Sequence, residues 1–251
     1  WIERTLSIVL EDKAPDTHLR LWLYPMLADH WMQMTGEAAA TAVSYWEGAA
    51  RAALQQNQNH EAIGFGTKEL RLLKERDLRG DGDKDNAIHI ALVQEMLAEA
   101  YLADGKVHEA KEVILEALEV LDIAPTLSKE ALRKRFRYEF KWLKRPALVK
   151  GIRSLYWRRE LSSTGKWQAD QVELTAAKLY EHLGRTAYLF EEMELHDFAV
   201  LRCLNLSTLL KRGTNVTLIA HANFKKRPSP AIEQLARAYA AATIVDRVSH
   251  D

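Results

Sequence analysis

Along most of this chain apolar residues recur at intervals of three and four, the spacing that gives an α-helix one apolar stripe. The clearest run lies between Ile88 and Pro125. Val93, Leu97, Ala100 and Tyr101 share one helical face, and Asp104-Gly105-Lys106 interrupts the pattern. Val107, Ala110, Ile114, Ala117, Leu118 and Leu121 resume it, and Pro125 closes it. So short a turn joins antiparallel neighbours. A hairpin of two such helices cannot cover its own stripes, so it must stack on others of its kind.

The flanking segments read the same way. Ile2–Leu10 is a short helix candidate closed by Glu11-Asp12-Lys13 and Pro15. The next helix, capped by Asp16 or Thr17, carries Leu19, Leu23, Met26, Leu27, His30 and Trp31 and stops at Thr35-Gly36. Ala38–Leu54 is alanine-rich, with Val43, Tyr45, Trp46, Ala49 and Ala53 for packing, and Gln55–Asn59 is a turn. His60–Arg76 follows, with Ala62, Ile63, Phe65, Leu70 and Leu73 apolar. Gly64 and Gly66 lower its helix propensity, so close packing is expected there. Asp77–Asn86 reads as a polar loop.

After Pro125 the stripe Leu132, Phe136, Phe140, Leu143 predicts a helix from Ser128 to Leu143. Ser128 serves as its cap, although Ala131 stands where a capping box requires glutamate. Pro146, Gly151 and the run 162–165 make 144–166 a connector. A second array opens near Gln168, with Val172, Ala176, Leu179, Tyr180, Leu183, Gly184 and Tyr188 on one face. This helix is expected to continue through Met193, with Gly184 a point of close contact and the turn at Leu195–Asp197. Ala199, Cys203, Leu206 and Leu210 form the returning stripe, which stops at Gly213. Thr217–Phe224 and Ile232–Ile244 are further helical pieces, and Leu235-Ala236 with Tyr239 repeats the spacing of Leu97-Ala98 with Tyr101. No sustained period-two alternation predicts a strand. The expected fold is all-α: helix hairpins stacked as an α-solenoid, with a first block over 1–124, a basic helix and connector over 125–166, and a second block over 167–251.

Composition narrows the function classes. Lys and Arg together number 35, as do Asp and Glu, so no global field recruits nucleic acid or an acidic membrane. No apolar run approaches the ~20 residues of a membrane span. The single Cys203 excludes an internal disulfide framework and a cysteine-based zinc site. The start at Trp1-Ile2-Glu3-Arg4 reads as a piece of a longer chain, with no signal peptide, and the cytoplasm is the default compartment. Asn205-Leu206-Ser207 and Asn215-Val216-Thr217 match the glycosylation sequon by chance on this reading.

Charge is nevertheless uneven. Lys129 to Arg159 holds twelve Lys or Arg against Glu130 and Glu139. A solvated helix face and linker would explain it. A docking surface for an acidic neighbour would too, and the interleaved Phe136, Tyr138, Phe140, Trp142, Tyr156 and Trp157 would suit base stacking as well as a core. Arg133, Lys134, Arg137, Lys141, Lys144 and Arg145 are the candidate partner contacts.

Catalytic and metal motifs fail. Asp81, Asp83 and Asp85 mimic a calcium loop, but Asn86 and Leu92 occupy its glycine and glutamate positions. Ser163-Thr164-Gly165-Lys166 lacks the earlier phosphate-loop glycine (Glu160 is there), and Trp167 replaces the hydroxyl. His60-Glu61 is followed by Gly64 where a zinc-protease helix needs histidine. Cys203 lies on the apolar stripe, two turns from His196, a poor setting for a nucleophile pair. His30 and His182 read as packing or capping residues. No catalytic residue, cofactor or metal ligand set is expected.

Two resemblances sharpen this. Leu97-Ala98, Tyr101, Gly105, Ala110 and Ala117-Leu118 resemble the leucine, small residue, tyrosine, turn glycine and alanines of a tetratricopeptide repeat. The run from Leu174 to Tyr188, with Ala199–Ser207 and Leu204-Asn205-Leu206 at its core, resembles the C-terminal helical region of soluble adenylyl cyclase-type proteins. Ala28-Asp29-His30-Trp31, Thr35-Gly36-Glu37 and Glu61-Ala62-Ile63 with Leu70 agree with it. That resemblance spans most of 20–224. It implies a repeat region following a predicted ATPase domain and a cyclase or other effector. The cyclase aspartates and the ATPase phosphate loop are absent from this chain, so neither activity carries over. The resemblance implies a non-catalytic regulatory or scaffolding segment whose partner is another protein or the parent's own catalytic domains. The alternative is a sensor arm of an ATPase-type transcriptional regulator. A small-molecule enzyme would need converging His, Asp or Glu, and the sequence offers no such cluster.

Overall fold

The structure is a computed structural model that describes residues 17–33, 38–78, 84–143 and 169–207. Among the described residues there are eight α-helices and no strand. The chain divides between Lys106 and Val107 into two compact units. The first holds α1 (Thr17–Met32), α2 (Ala38–Gln55), α3 (Asn59–Leu78) and α4 (Lys84–Ala103). Each packs on the next, and α4 also reaches α2. The second holds α5 (Val107–Val120), α6 (Lys129–Leu143), α7 (Ala169–Leu189) and α8 (Met193–Ser207). There α7 packs against α5 and α8, and α8 against α6. The helix expected at Ile2–Leu10, the Thr35-Gly36 stop, the connector 144–166 and everything expected beyond Ser207 lie outside the described residues.

Four helices end in the same way. The left-handed residues are Asn57 (φ 57°) after α2, Gly105 (φ 77°) after α4, Asp122 (φ 56°) after α5 and Glu191 (φ 59°) after α7. At each, the next backbone N–H reaches five residues back: Gln58 to Ala53, Lys106 to Tyr101, Ile123 to Leu118 and Glu192 to Ala187, all at 2.9 Å. This Schellman closure satisfies carbonyls that would otherwise be orphaned at a helix end. The start of α6 is likewise built from its sequence, since the Ala131 amide donates to the Ser128 hydroxyl at 3.2 Å.

Three of these turns lead straight into another helix. Counted from Asn57, Gly105 and Glu191, the same offsets are buried on either side of each turn. Seven residues before stand Ala50, Ala98 and Gly184; five after, Ala62, Ala110 and His196; nine after, Gly66, Ile114 and Val200. Twelve after stand Glu69, Ala117 and Cys203. Small residues let helix axes approach closely. Gly184 does this directly, since a Cβ there would lie 3.0 Å from Val200 Cγ2. Of the two α3 glycines, Gly66 is a tight contact, its Cβ position 2.9 Å from Leu97 Cδ2, whereas Gly64 faces open space.

The structure corrects several expectations. Met26 and His30 lie on the exposed side of α1, and Leu23, Leu27 and Ala28 are its buried residues. Helix α4 is buried on nearly every side rather than along one stripe, Val93 to Ala98 without a break. The turn of the second array comes at Phe190–Glu192, not Leu195–Asp197, because the left-handed Glu191 stops α7 short of Met193. Leu195, His196, Phe198 and Ala199 are therefore buried within α8, and Tyr188 is exposed near the end of α7.

Candidate functional site

Three consecutive helices of the first unit bring two carboxylates and an imidazole together. Glu47 follows Trp46 on α2, Glu69 lies on the buried face of α3, and His89 sits between buried Ile88 and Ile90 on α4. Trp46 fixes the neighbourhood, stacking on Phe65 with ring centroids 5.6 Å apart and carrying the Lys68 ammonium 4.1 Å above its ring. Nε2 of His89 lies 3.3 Å from Glu69 Oε1 and 3.7 Å from Glu47 Oε2. One atom from each side chain falls within 4.8 Å of the others. Arg51, one turn along α2, pairs with the remaining Glu47 oxygen, Oε1, at 2.6 Å.

Electrostatics follow from burial. Glu69 is 0% exposed, and neither of its oxygens takes part in a bond of hydrogen-bonding geometry. Desolvation raises its carboxyl above the ordinary value, although His89 opposes this. Glu47, half-buried, is held low chiefly by His89. The two carboxylates, Glu47 first, push His89 up to about 9 against the cost of its own burial. At neutral pH the trio therefore holds an imidazolium at His89. With the proton removed, it offers one nitrogen and two oxygens to a cation.

None of these three belongs to a motif legible in the sequence. Their spacings, 22 and 20 residues, match no ligand motif. A legible signal was a glutamate inside the stripe of an otherwise amphipathic helix. The sequence offered no converging His, Asp or Glu, and the structure assembles this cluster by stacking three helices.

The residues expected to contact a partner are distributed differently. Arg133 is engaged inside the second unit, pairing with Glu194 at 2.9 Å. Glu194 is kept low by its own backbone amide and then by Arg133. Lys134 and Arg137 are exposed on α6. Lys141 lies in α6, but its side chain, like Lys144 and Arg145, lies outside the described residues. Beside Arg133 opens a cleft of about 250 Å³, lined by Lys111, Lys129, Glu191, Glu192, Glu194 and apolar Leu127, Leu132 and Leu195. Two of its acids are already paired, Glu194 with Arg133 and Glu192 with the Lys111 ammonium, which donates to both Glu192 oxygens at 2.7 Å.

Cys203 is fully buried, and desolvation, then the Glu181 charge, pushes its thiol well above the usual range. His196 is held at 2.8 Å from the Gly184 carbonyl through Nδ1. The pair has no thiolate to offer. Deeper in this unit, Glu139 receives Arg202 at 3.0 Å and the Asn205 amide at 2.6 Å, all three buried. The first sequon is thus closed to a sugar in the folded chain.

No family model and no curated protein matches the chain. Among solved structures it is similar to BtubC (BKLC) from P. vanneervenii, at 14% identity and a TM-score of 0.40, over 95% of this chain and 93% of that one.

Proposed function

We propose that this chain is a non-catalytic helical-repeat segment of the tetratricopeptide type, acting as a scaffold or regulatory arm in a larger ATPase or nucleotide-cyclase-like signalling protein. Its task is to present a helical surface to a protein partner or to the parent's own catalytic modules, and so to bias their state. The observation that carries this reading is the recurrence, around Asn57, Gly105 and Glu191, of the same left-handed turn with small or buried residues at fixed offsets on either side. Repetition of one helix–turn–helix unit is how repeat proteins build binding surfaces. The exposed Lys134 and Arg137 are the contacts to test first; Arg133 is set aside because its charge is used internally.

The experiment pairs the purified segment with the parent's separately expressed catalytic modules. Lys134→Glu with Arg137→Glu is expected to weaken binding at least about tenfold, an electrostatic loss that added salt also produces in the wild type. Unchanged binding with unchanged far-UV dichroism would remove the basic face from the proposal. Turnover of a nucleotide by the segment alone would overturn its non-catalytic character.

A further inference from the structure

We propose that Glu47, Glu69 and His89 form a binding site for one divalent transition-metal ion, with Zn²⁺ the best fit. The site is independent of the scaffold reading. Each of three neighbouring helices supplies one ligand, so an ion there would clasp α2, α3 and α4 to one another.

Geometry argues first. A tetrahedral ion with bonds of ~2.0–2.1 Å places its ligand atoms roughly 3.3 Å apart. Nε2 of His89 and Oε1 of Glu69 already stand at 3.3 Å. Glu47 Oε2 is 3.7 Å from the same nitrogen, and Glu47 is half-buried, so its carboxylate has room to close the remaining gap. Arg51 holds the other oxygen of Glu47 and leaves Oε2 turned to the trio, the kind of outer support that fixes a ligand's orientation. Because Glu47 and His89 keep some exposure, the fourth position opens towards water.

Glu69 argues independently. At its offset from the turn, the sequence after the other two turns carries Ala117 and Cys203, buried and uncharged. Here alone that offset carries a carboxylate, wholly buried, and neither oxygen has a hydrogen bond. Buried charges are paired or coordinate metals. The ion pair of Glu69 with His89, at 3.3 Å, falls short of hydrogen-bond geometry and leaves the other oxygen, Oε2, unmet. A cation between Glu69 Oε1, Glu47 Oε2 and Nε2 would satisfy all three at once.

The donor set selects the ion. One imidazole with two carboxylates suits Zn²⁺, or next Fe²⁺ or Mn²⁺. Ca²⁺ asks for six or more oxygens, and Mg²⁺ for an octahedral oxygen shell, which three ligands including a ring nitrogen do not provide.

The test uses the full chain stripped with chelator and then titrated with Zn²⁺ by calorimetry, in parallel with Glu69→Gln, His89→Gln and, as a control, exposed His60→Gln. One Zn²⁺ per chain is expected, with affinity falling at least about tenfold in each of the first two variants and unchanged in the control. At a hundredfold excess over Kd, Zn²⁺ should raise the wild-type Tm by roughly 5 °C or more. Absence of stoichiometric binding overturns the site. So does binding that survives both substitutions, which would place Zn²⁺ on scattered surface histidines. Should Glu69→Gln fail to fold, Co²⁺ added to the wild type decides: visible bands lost on adding Zn²⁺ and missing in His89→Gln support the site, and any other result overturns it.

Discussion

Glu191 shows how one residue sets a boundary. It occupies the left-handed conformation that Gly105 takes at the corresponding turn. For a side chain with a Cβ this conformation costs roughly 1–2 kcal/mol, and the Glu192 amide bond to Ala187 helps to hold it. Glu191→Gly should therefore stabilise the chain by about 0.5–1 kcal/mol and Gly105→Ala destabilise it by about 1 kcal/mol, both read by denaturant unfolding. His89 gives a pH signature at the same scale. Its ordinary value of 6.5 rises to about 9 on folding. A raised folded value means that the stabilisation is complete below 6.5 and is lost as pH climbs towards 9. The groups facing it are Glu47 and Arg51 on α2 and Glu69 on α3. In chelator, the stability advantage of wild type over His89→Gln should be largest near pH 6 and shrink steadily to pH 9. Raised Glu69 works in the same direction, losing stability as pH rises above 4.5, whereas lowered Glu47 loses it as pH falls below that value. An advantage independent of pH would refute the assignment.

At the scale of the element, two glycines in adjacent helices predict opposite outcomes. Gly64, exposed in α3, has nothing within 4 Å of the point an added methyl would occupy, so Gly64→Ala should stabilise by about 0.5–1 kcal/mol through helix propensity. At Gly48 in α2 the same methyl would strike the Tyr24 ring of α1. Overpacking of that sort costs about 1–3 kcal/mol, more than the propensity gain, so Gly48→Ala should lower the Tm. Helix boundaries within the described residues were largely legible in the sequence wherever a turn residue was overt: Gly105 after α4, the Gln/Asn run after α2, Ser128 before α6. Helix α5 was legible down to its buried Ala110, Ile114, Ala117 and Leu118. The boundary at Glu191 was hidden because glutamate is a good helix former, and only the backbone shows it left-handed. Met26 falls on the exposed side of α1 although it fits the stripe, since periodicity fixes a stripe's spacing but leaves its edges open. The Glu47–Glu69–His89 cluster was illegible for a different reason: its members are long-range neighbours, and only helix stacking brings them within reach.

The whole molecule is built as two compact units, each with its own buried polar device. In the first it is the cluster around Glu69; in the second, Glu139 with Arg202 and Asn205. Removing one partner of a buried charge pair leaves the other uncompensated, at a cost of about 3–5 kcal/mol. Arg202→Met should impose that loss on the second unit, and hydrogen exchange should accelerate across α6–α8 and stay unchanged across α1–α4. Acceleration throughout would mean that the two units unfold as one. The Asn205 amide has a practical corollary for producing the protein. A glycan attached during passage through a eukaryotic secretory pathway would have to precede folding, and it would then wedge α8 away from Glu139. Such a host would yield folded, sugar-free chains beside glycosylated ones trapped short of the native state. Ser207→Ala erases the attachment signal while sparing the amide, and is the substitution of choice there; Asn205→Gln moves the amide one methylene from the Glu139 carboxylate it serves.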